Sequence, residues 1–215
     1  MSDRVALSNA HVRVLDAPAS VLRRLAAARP RDYPVLLESV AQGPLGRMSL
    51  LAARPRAALW LDAAGRVGAS GVVPRGASFL AALEQWWLAE RTAESPDVGL
   101  ELPFTGGWAV FLSYEVAAEI EPRLQLPPSE LPWRALALRT PCALVHVHAT
   151  GRVLAVAEAD AAHELDRLAC DAEEAARTVA PATPSPAQRA PLALRITEED
   201  PAKHLERVRR AQEYI

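Results

Sequence analysis

His146 and His148 stand two residues apart, so on a β-strand their imidazoles share a face. A transition metal can use that pattern, but no third ligand stands beside it, and two ordinary strand histidines are the commoner outcome. Glu115, Glu119 and Glu121 form an acidic patch directly after an apolar run. Carboxylates so placed do general acid–base work only where burial separates their pKa values. Nothing in the flanking residues implies burial, so a solvated segment is the default, with Glu115 the member to watch. Gly106-Gly107 has the composition of a phosphate cradle. It lacks the Gly-Lys-Ser/Thr ending, however, and opens a predicted strand where a cradle should open a helix. A tight backbone turn is the better account. Cys142 and Cys170 are too few for a disulfide framework and sit in apolar or helical patterns, which reads as reduced, buried thiols.

The elements that would position these groups are short. Strands are predicted at Val12–Leu15, Val35–Leu37, Met48–Leu51, Ala58–Leu61 and Val67–Val73, with Ala63-Ala64-Gly65 as a hairpin turn. A helix fits Ser20–Ala28 and is stopped by Pro30. Ser78 suits the N-cap of a helix reaching Arg91, whose Phe79, Leu80, Leu83, Trp86 and Trp87 follow the 3.6-residue period of one buried stripe. Trp108–Tyr114 is almost continuously apolar, as expected of a central strand covered on both faces. Pro122, Pro127, Pro128 and Pro132 break the next stretch into an irregular surface loop. Strands follow at Ala135–Leu138, Ala143–Val147 and Val153–Ala157, the last two joined by a turn at Thr150-Gly151. A helix from about Asp160 to Val179 carries Leu165, Leu168, Ala172 and Ala176 on one face. Trp60, Trp86, Trp87, Trp108 and Trp133 are scattered rather than interleaved with basic residues, so they are expected mostly in the core and not as a platform for bases. The pattern predicts an α+β fold, mainly an antiparallel sheet of short strands with flanking helices.

Residues 181–191 hold Pro181, Pro184, Pro186 and Pro191 among small and polar residues and read as a semi-stiff linker. It separates a domain of residues 1–180 from a segment of residues 192–215. In that segment Leu192–Ile196 suits a strand, Asp200-Pro201 suits a helix start, and Leu205, Val208 and Ile215 line one helical face. The helix reaches Ile215 without a Gly or Asn cap, the pattern of a second domain that has only begun.

Half of the 215 residues are apolar and 23% are charged, so the chain can bury a core and is no disordered tail. With a net charge of −2 and no Lys/Arg run, nothing draws nucleic acid or anionic lipid by long-range electrostatics. Met1-Ser2-Asp3-Arg4 does not begin a secretory signal, and no apolar stretch approaches the roughly 18 residues that cross a bilayer. A cytoplasmic protein is expected, and its Arg-over-Lys, Ala-rich composition suits a bacterial genome rich in G and C.

Three segments resemble component I of the chorismate-utilising enzymes, the anthranilate synthase and aminodeoxychorismate synthase family. Leu36-Leu37-Glu38-Ser39, followed by Gly46-Arg47-Met48-Ser49-Leu50-Leu51, resembles the family's "LLES…GRYS" segment, with Met48 in place of the usual aromatic. Pro103 to Glu115 resembles "F-x-GG-x-x-G-x-x-x-YD/E", with Val110 where the family often has another glycine. Asp200 to Ile215 is similar to the helix that opens the family's chorismate-binding domain. The alanine-rich N-terminal region and the Gly43-Pro44-Leu45-Gly46 spacer look more like the aminodeoxychorismate (para-aminobenzoate) branch than the anthranilate branch.

The resemblance implies that ammonia, delivered by a glutamine amidotransferase subunit, is transferred onto chorismate in a Mg2+-dependent site on the way to folate. It assigns the acid–base, magnesium-binding and chorismate-binding residues to the family's C-terminal domain. No catalytic or metal-binding residue therefore maps onto residues 1–215, and the chain alone is expected to be inactive. It also implies a pocket for L-tryptophan, here formed by Leu37, Glu38, Ser39, Arg47, Met48 and Ser49. Strand-end hydroxyls and backbone groups can satisfy an ammonium and a carboxylate, while Leu37 and Met48 meet an indole. The ordinary alternative is that Ser39 only turns the chain and Glu38 is solvated. Two other roles stay open: a tryptophan-sensing module of an anthranilate synthase, and a docking surface for the amidotransferase.

Overall fold

Ala57, Leu59 and Leu61 are buried while Ala58, Trp60 and Asp62 between them are half-exposed, the period of two that a one-sided sheet imposes. The same reasoning organises the chain throughout the computed structural model, which describes residues 4–6, 10–39, 46–91, 102, 104–127, 130–177 and 200–214. The chain divides into two units, Met1–Val179 and Ala180–Ile215.

The first unit is α+β, with two antiparallel sheets rather than one. Sheet A contains β1 (Arg4–Ala6), β2 (Ala10–Leu15), β3 (Val35–Leu37), β4 (Met48–Ala53), β9 (Cys142–Val147) and β10 (Arg152–Glu158). Sheet B contains β5 (Ala57–Asp62), β6 (Val67–Ser70), β7 (Gly107–Leu112) and β8 (Trp133–Thr140). The spatial orders are β1-β2-β10-β9-β4-β3 and β6-β5-β8-β7. Consecutive strand pairs link the sheets: β4 pairs with β9 in sheet A, and the chain continuing as β5 pairs with the chain preceding β9, β8, in sheet B. Ala53 faces Cys142 whereas Ala57 faces Arg139, so four steps along one chain answer three along the other. Arg54, in the left-handed region at φ 53°, and Pro55 make this corner. There the Arg56 amide donates to the Arg139 carbonyl at 2.9 Å. Strands that switch sheets at bends of this kind make the corners of packed β-structures.

Helices α1 (Ser20–Ala28) and α4 (Glu164–Arg177) cover one face of sheet A. Val21, Leu22, Leu25, Leu165 and Leu168 pack there with Leu51, Leu144, Val153 and Ala155. A polar clamp closes the same side. The Asp171 carboxylate accepts from the Tyr33 hydroxyl at 2.5 Å, from Arg54 at 2.7 Å and from Arg29. Burial pushes that carboxyl up, but hydrogen bonds from Tyr33, Arg29 and Arg54 outweigh it and hold it below its ordinary value. The other face of sheet A carries Val12, Val145, Leu154 and Val156, with Met48, Leu50 and Val147 partly buried against them.

In sheet B, α2 (Phe79–Glu90) packs Phe79, Ala82 and Trp86 on Leu59, Leu61, Ala135 and Ala137. The Ser78 hydroxyl caps it by accepting from the Ala81 amide at 3.2 Å. Glu119, on the short α3 (Ala117–Ile120), accepts from the Phe79 and Leu80 amides at 3.1 and 2.9 Å. Glu119 is thus a helix cap and not part of a solvated acidic patch.

Several expectations are corrected by what covers each element. β7 is an edge strand of sheet B, not a central one, and its Val110, Phe111 and Leu112 are half-exposed. Tyr114 lies beyond it in a 3-10 turn and is exposed. Trp87 points away from the α2 stripe, and of the five tryptophans only Trp86 is fully buried. Cys170 is exposed on α4, whereas Cys142 is buried.

In the second unit the described residues form α5 (Pro201–Tyr214), opened by an Asp200 carboxylate that accepts from the Ala202 amide at 3.0 Å. The linker expected at 181–191, the strand expected at 192–196, and Ile215 lie outside the described residues. No helix among the described residues is long and apolar enough to cross a membrane.

Candidate functional site

The β3–β4 end of sheet A brings the two serine-bearing segments together. Leu36 pairs with Leu51 and Leu37 with Leu50, while on the other side of β4 Met48 pairs with Val147 and Ser49 with His146. Alternation then sorts the side chains. Leu37, Leu50, Met48 and Val147 share one face; Leu36, Leu51, Ser49 and His146 share the face toward α1 and α4.

At this end of the sheet lies an open cavity of about 440 Å³ lined by Leu37, Met48 and Leu50 of the first face together with Leu36, Glu38 and Ser39. Four of the six residues expected there, Leu37, Glu38, Ser39 and Met48, do line it. Arg47 and Ser49 are not among its lining residues, because the pleat sends Ser49 to the opposite face. Glu38 is held rather than loosely solvated: both carboxylate oxygens accept from Arg23 Nε of α1, at 2.7 and 2.8 Å. The cavity therefore has Leu37, Met48 and Leu50 along it, with Ser39 and the ion-paired Glu38 at its rim.

Ser49 is 6% exposed and works behind the cavity. Its Oγ accepts from the Ser39 amide at 3.3 Å and lies 2.8 Å from His148 Nε2. The His148 backbone amide in turn donates to the Arg47 carbonyl at 2.9 Å. His146 packs against His148 with ring centroids 4.7 Å apart and the planes tilted by 42°. Burial, and secondarily the neighbouring His148, lowers the His146 pKa from its ordinary value. Sequence reasoning weighed these histidines as metal ligands against ordinary strand residues and favoured the second; their link to Ser49 depends on the β4–β9 register, which no local pattern reveals. Among the described residues no three His, Cys, Asp or Glu side chains converge as a metal site.

The Gly106-Gly107 segment belongs to a different centre. Arg139, nearly buried on β8, donates to Glu90 at 2.7 Å, to both Glu158 oxygens at 2.6 and 2.9 Å, and to the Gly107 carbonyl at 3.1 Å. Its guanidinium stacks over Trp108 at 4.5 Å. Glu90 also accepts from Trp86 Nε1 at 2.6 Å and from Arg56 at 2.8 Å. Burial pushes the Glu90 carboxyl up, and the bonds from Arg56, Arg139 and Trp86 outweigh that to hold it below its ordinary value. Gly106 has φ 124°, and a Cβ there would lie 2.1 Å from Glu158 Cγ. The glycine pair makes the turn expected of it and clears the path by which Glu158 reaches Arg139. Every charge in this centre is matched within the protein, which is the signature of a structural tie and not of a binding site. Glu115 stands apart, its carboxyl held below the ordinary range by the Ser113 hydroxyl and by its own backbone amide.

No protein-family model matches the chain, and no curated protein matches it. Among solved structures, the chain is similar to the crystal structure of anthranilate synthase component I from Streptococcus pneumoniae TIGR4, at 19% identity and a TM-score of 0.49. The match covers 77% of this chain and 37% of that one, so the chain spans well under half the length of that protein.

Proposed function

We propose that this chain is the amino-terminal scaffold of a component I enzyme of the chorismate-utilising family, of the aminodeoxychorismate synthase type, and that its β3–β4 cavity is a pocket for L-tryptophan. One observation carries the reading. The segments Leu36–Ser39 and Gly46–Leu51, quoted from the sequence for their resemblance to that family, meet as neighbouring strands and line one cavity. Leu37, Met48 and Leu50 would meet the indole, while Glu38 and the polar groups of Ser39 would meet the ammonium and carboxylate. The amination of chorismate, with ammonia from a glutamine amidotransferase subunit, belongs to a chorismate-binding domain outside the described residues.

The test has two arms. The complete gene product, supplied with chorismate, magnesium and ammonia or the amidotransferase, is expected to form 4-amino-4-deoxychorismate; formation of anthranilate would move the chain to the other branch. Calorimetry with millimolar L-tryptophan on the same protein is expected to give saturable heat that Met48→Asp abolishes. Absence of heat removes the pocket, and absence of both products removes the family reading.

A further inference from the structure

The β3–β4 ladder ends at Leu37–Leu50, yet Ser39, two residues farther on, still borders the cavity. A strand end released from its ladder frays unless something else takes its amides. Here the Ser39 amide is taken by a side chain, Ser49 Oγ, which reaches it from the far face of β4 at 3.3 Å. Ser49 is itself fixed, 2.8 Å from His148 Nε2. His148 is fixed at two further points, by its backbone bond to Arg47 and by the His146 ring against it. A serine hydroxyl has one hydrogen and two lone pairs, so one oxygen can serve the amide and the imidazole together, and each bond polarises the other.

We infer that His148 and Ser49 are positioning residues for the β3–β4 pocket, holding the Ser39 backbone at its rim through a relay that crosses from the turn after β9 to β4 and on to the segment just beyond β3. Neither residue lines the cavity; both act through Ser39. The relay rests on the pocket reading for its ligand but not for its existence, and it makes His148, some 110 residues away in sequence, a determinant of affinity at a site it does not border.

The experiment reads the two levels separately. In amide NMR spectra of the ligand-free protein, Ser49→Ala and His148→Ala are both expected to shift the Ser39 amide resonance, and His148→Gln, which keeps a hydrogen-bonding group near the Nε2 position, is expected to shift it less. Calorimetry with L-tryptophan is expected to show affinity reduced about tenfold in His148→Ala, as for one lost hydrogen bond, and recovered to within about threefold in His148→Gln. A merely structural histidine would lower the melting temperature without this rescue. If His148→Ala leaves the Ser39 resonance in place, the relay is overturned whatever tryptophan does. If the resonance moves but the unaltered protein gives no heat, the relay stands and the tryptophan pocket falls. If tryptophan binds the unaltered protein and His148→Ala equally well, the positioning role is overturned.

Discussion

In sheet A, Cys142, Ala143, Leu144 and Val145 of β9 are fully buried on both faces. In sheet B, β7 is just as apolar, yet Val110, Phe111 and Leu112 are 46–49% exposed. The strands differ in what surrounds them. β9 has β10 and β4 as neighbours and helices α1 and α4 over one face, whereas β7 has β8 alone on one edge. The face of sheet B opposite α2 presents Ala58, Trp60, Leu136 and Leu138, all only partly buried. An apolar run therefore reports that a strand can be buried; strand order and covering elements decide whether it is.

The sharpest way to break the comparison is at the tie between the sheets. Arg139→Ala takes from Glu158 its close partner, leaving Glu90 to Arg56 and Trp86, and is expected to cost about 3–5 kcal/mol in chemical denaturation. A loss under about 1 kcal/mol would mean that the two sheets are not held by this centre. Next comes a matched pair of truncations. Leu144→Ala in sheet A is expected to cost about 2–5 kcal/mol, while Phe111→Ser in sheet B should stay within about 0.5 kcal/mol. Equal losses would show that the outer face of sheet B is covered in solution. The smallest effect is chemical rather than energetic. A thiol reagent should modify Cys170 in the native state and Cys142 only on unfolding. Burial, followed by the nearby Glu164 carboxylate, pushes the Cys142 thiol up to about 12, and its Sγ lies 3.6 Å from the Ala53 carbonyl. Native labelling of both would contradict a closed sheet A core.

Local signals proved legible where the cause is local. Helix α1 spans the stretch read for it, Ser20–Ala28, because Pro30 ends its period. Ser78 caps α2 as its type suggests, and Gly106-Gly107 turns the chain at positive φ. What stayed hidden depends on partners far away in sequence. Glu119 becomes a cap only because α3 is folded against the start of α2, 39 and 40 residues upstream. Splitting the strands into two sheets requires the corner at Arg54 and Pro55, and neither residue announces it. Four of the six expected pocket residues line the cavity, since membership followed from the segment. Ser49 and Arg47 fell outside it because the pleat decides which face a residue serves.

The corner where β4 becomes β5 has a consequence for how this chain can vary. Deleting one residue between Ala53 and Ala57, or inserting one, would leave sheet A undisturbed and flip every side chain of β5 against its partners. Trp60 would then be driven beneath α2, and Leu59 would be pushed out into water. Length at that bend is thus a requirement of its own, additional to the side chains of Arg54 and Arg56 that hold Asp171 and Glu90.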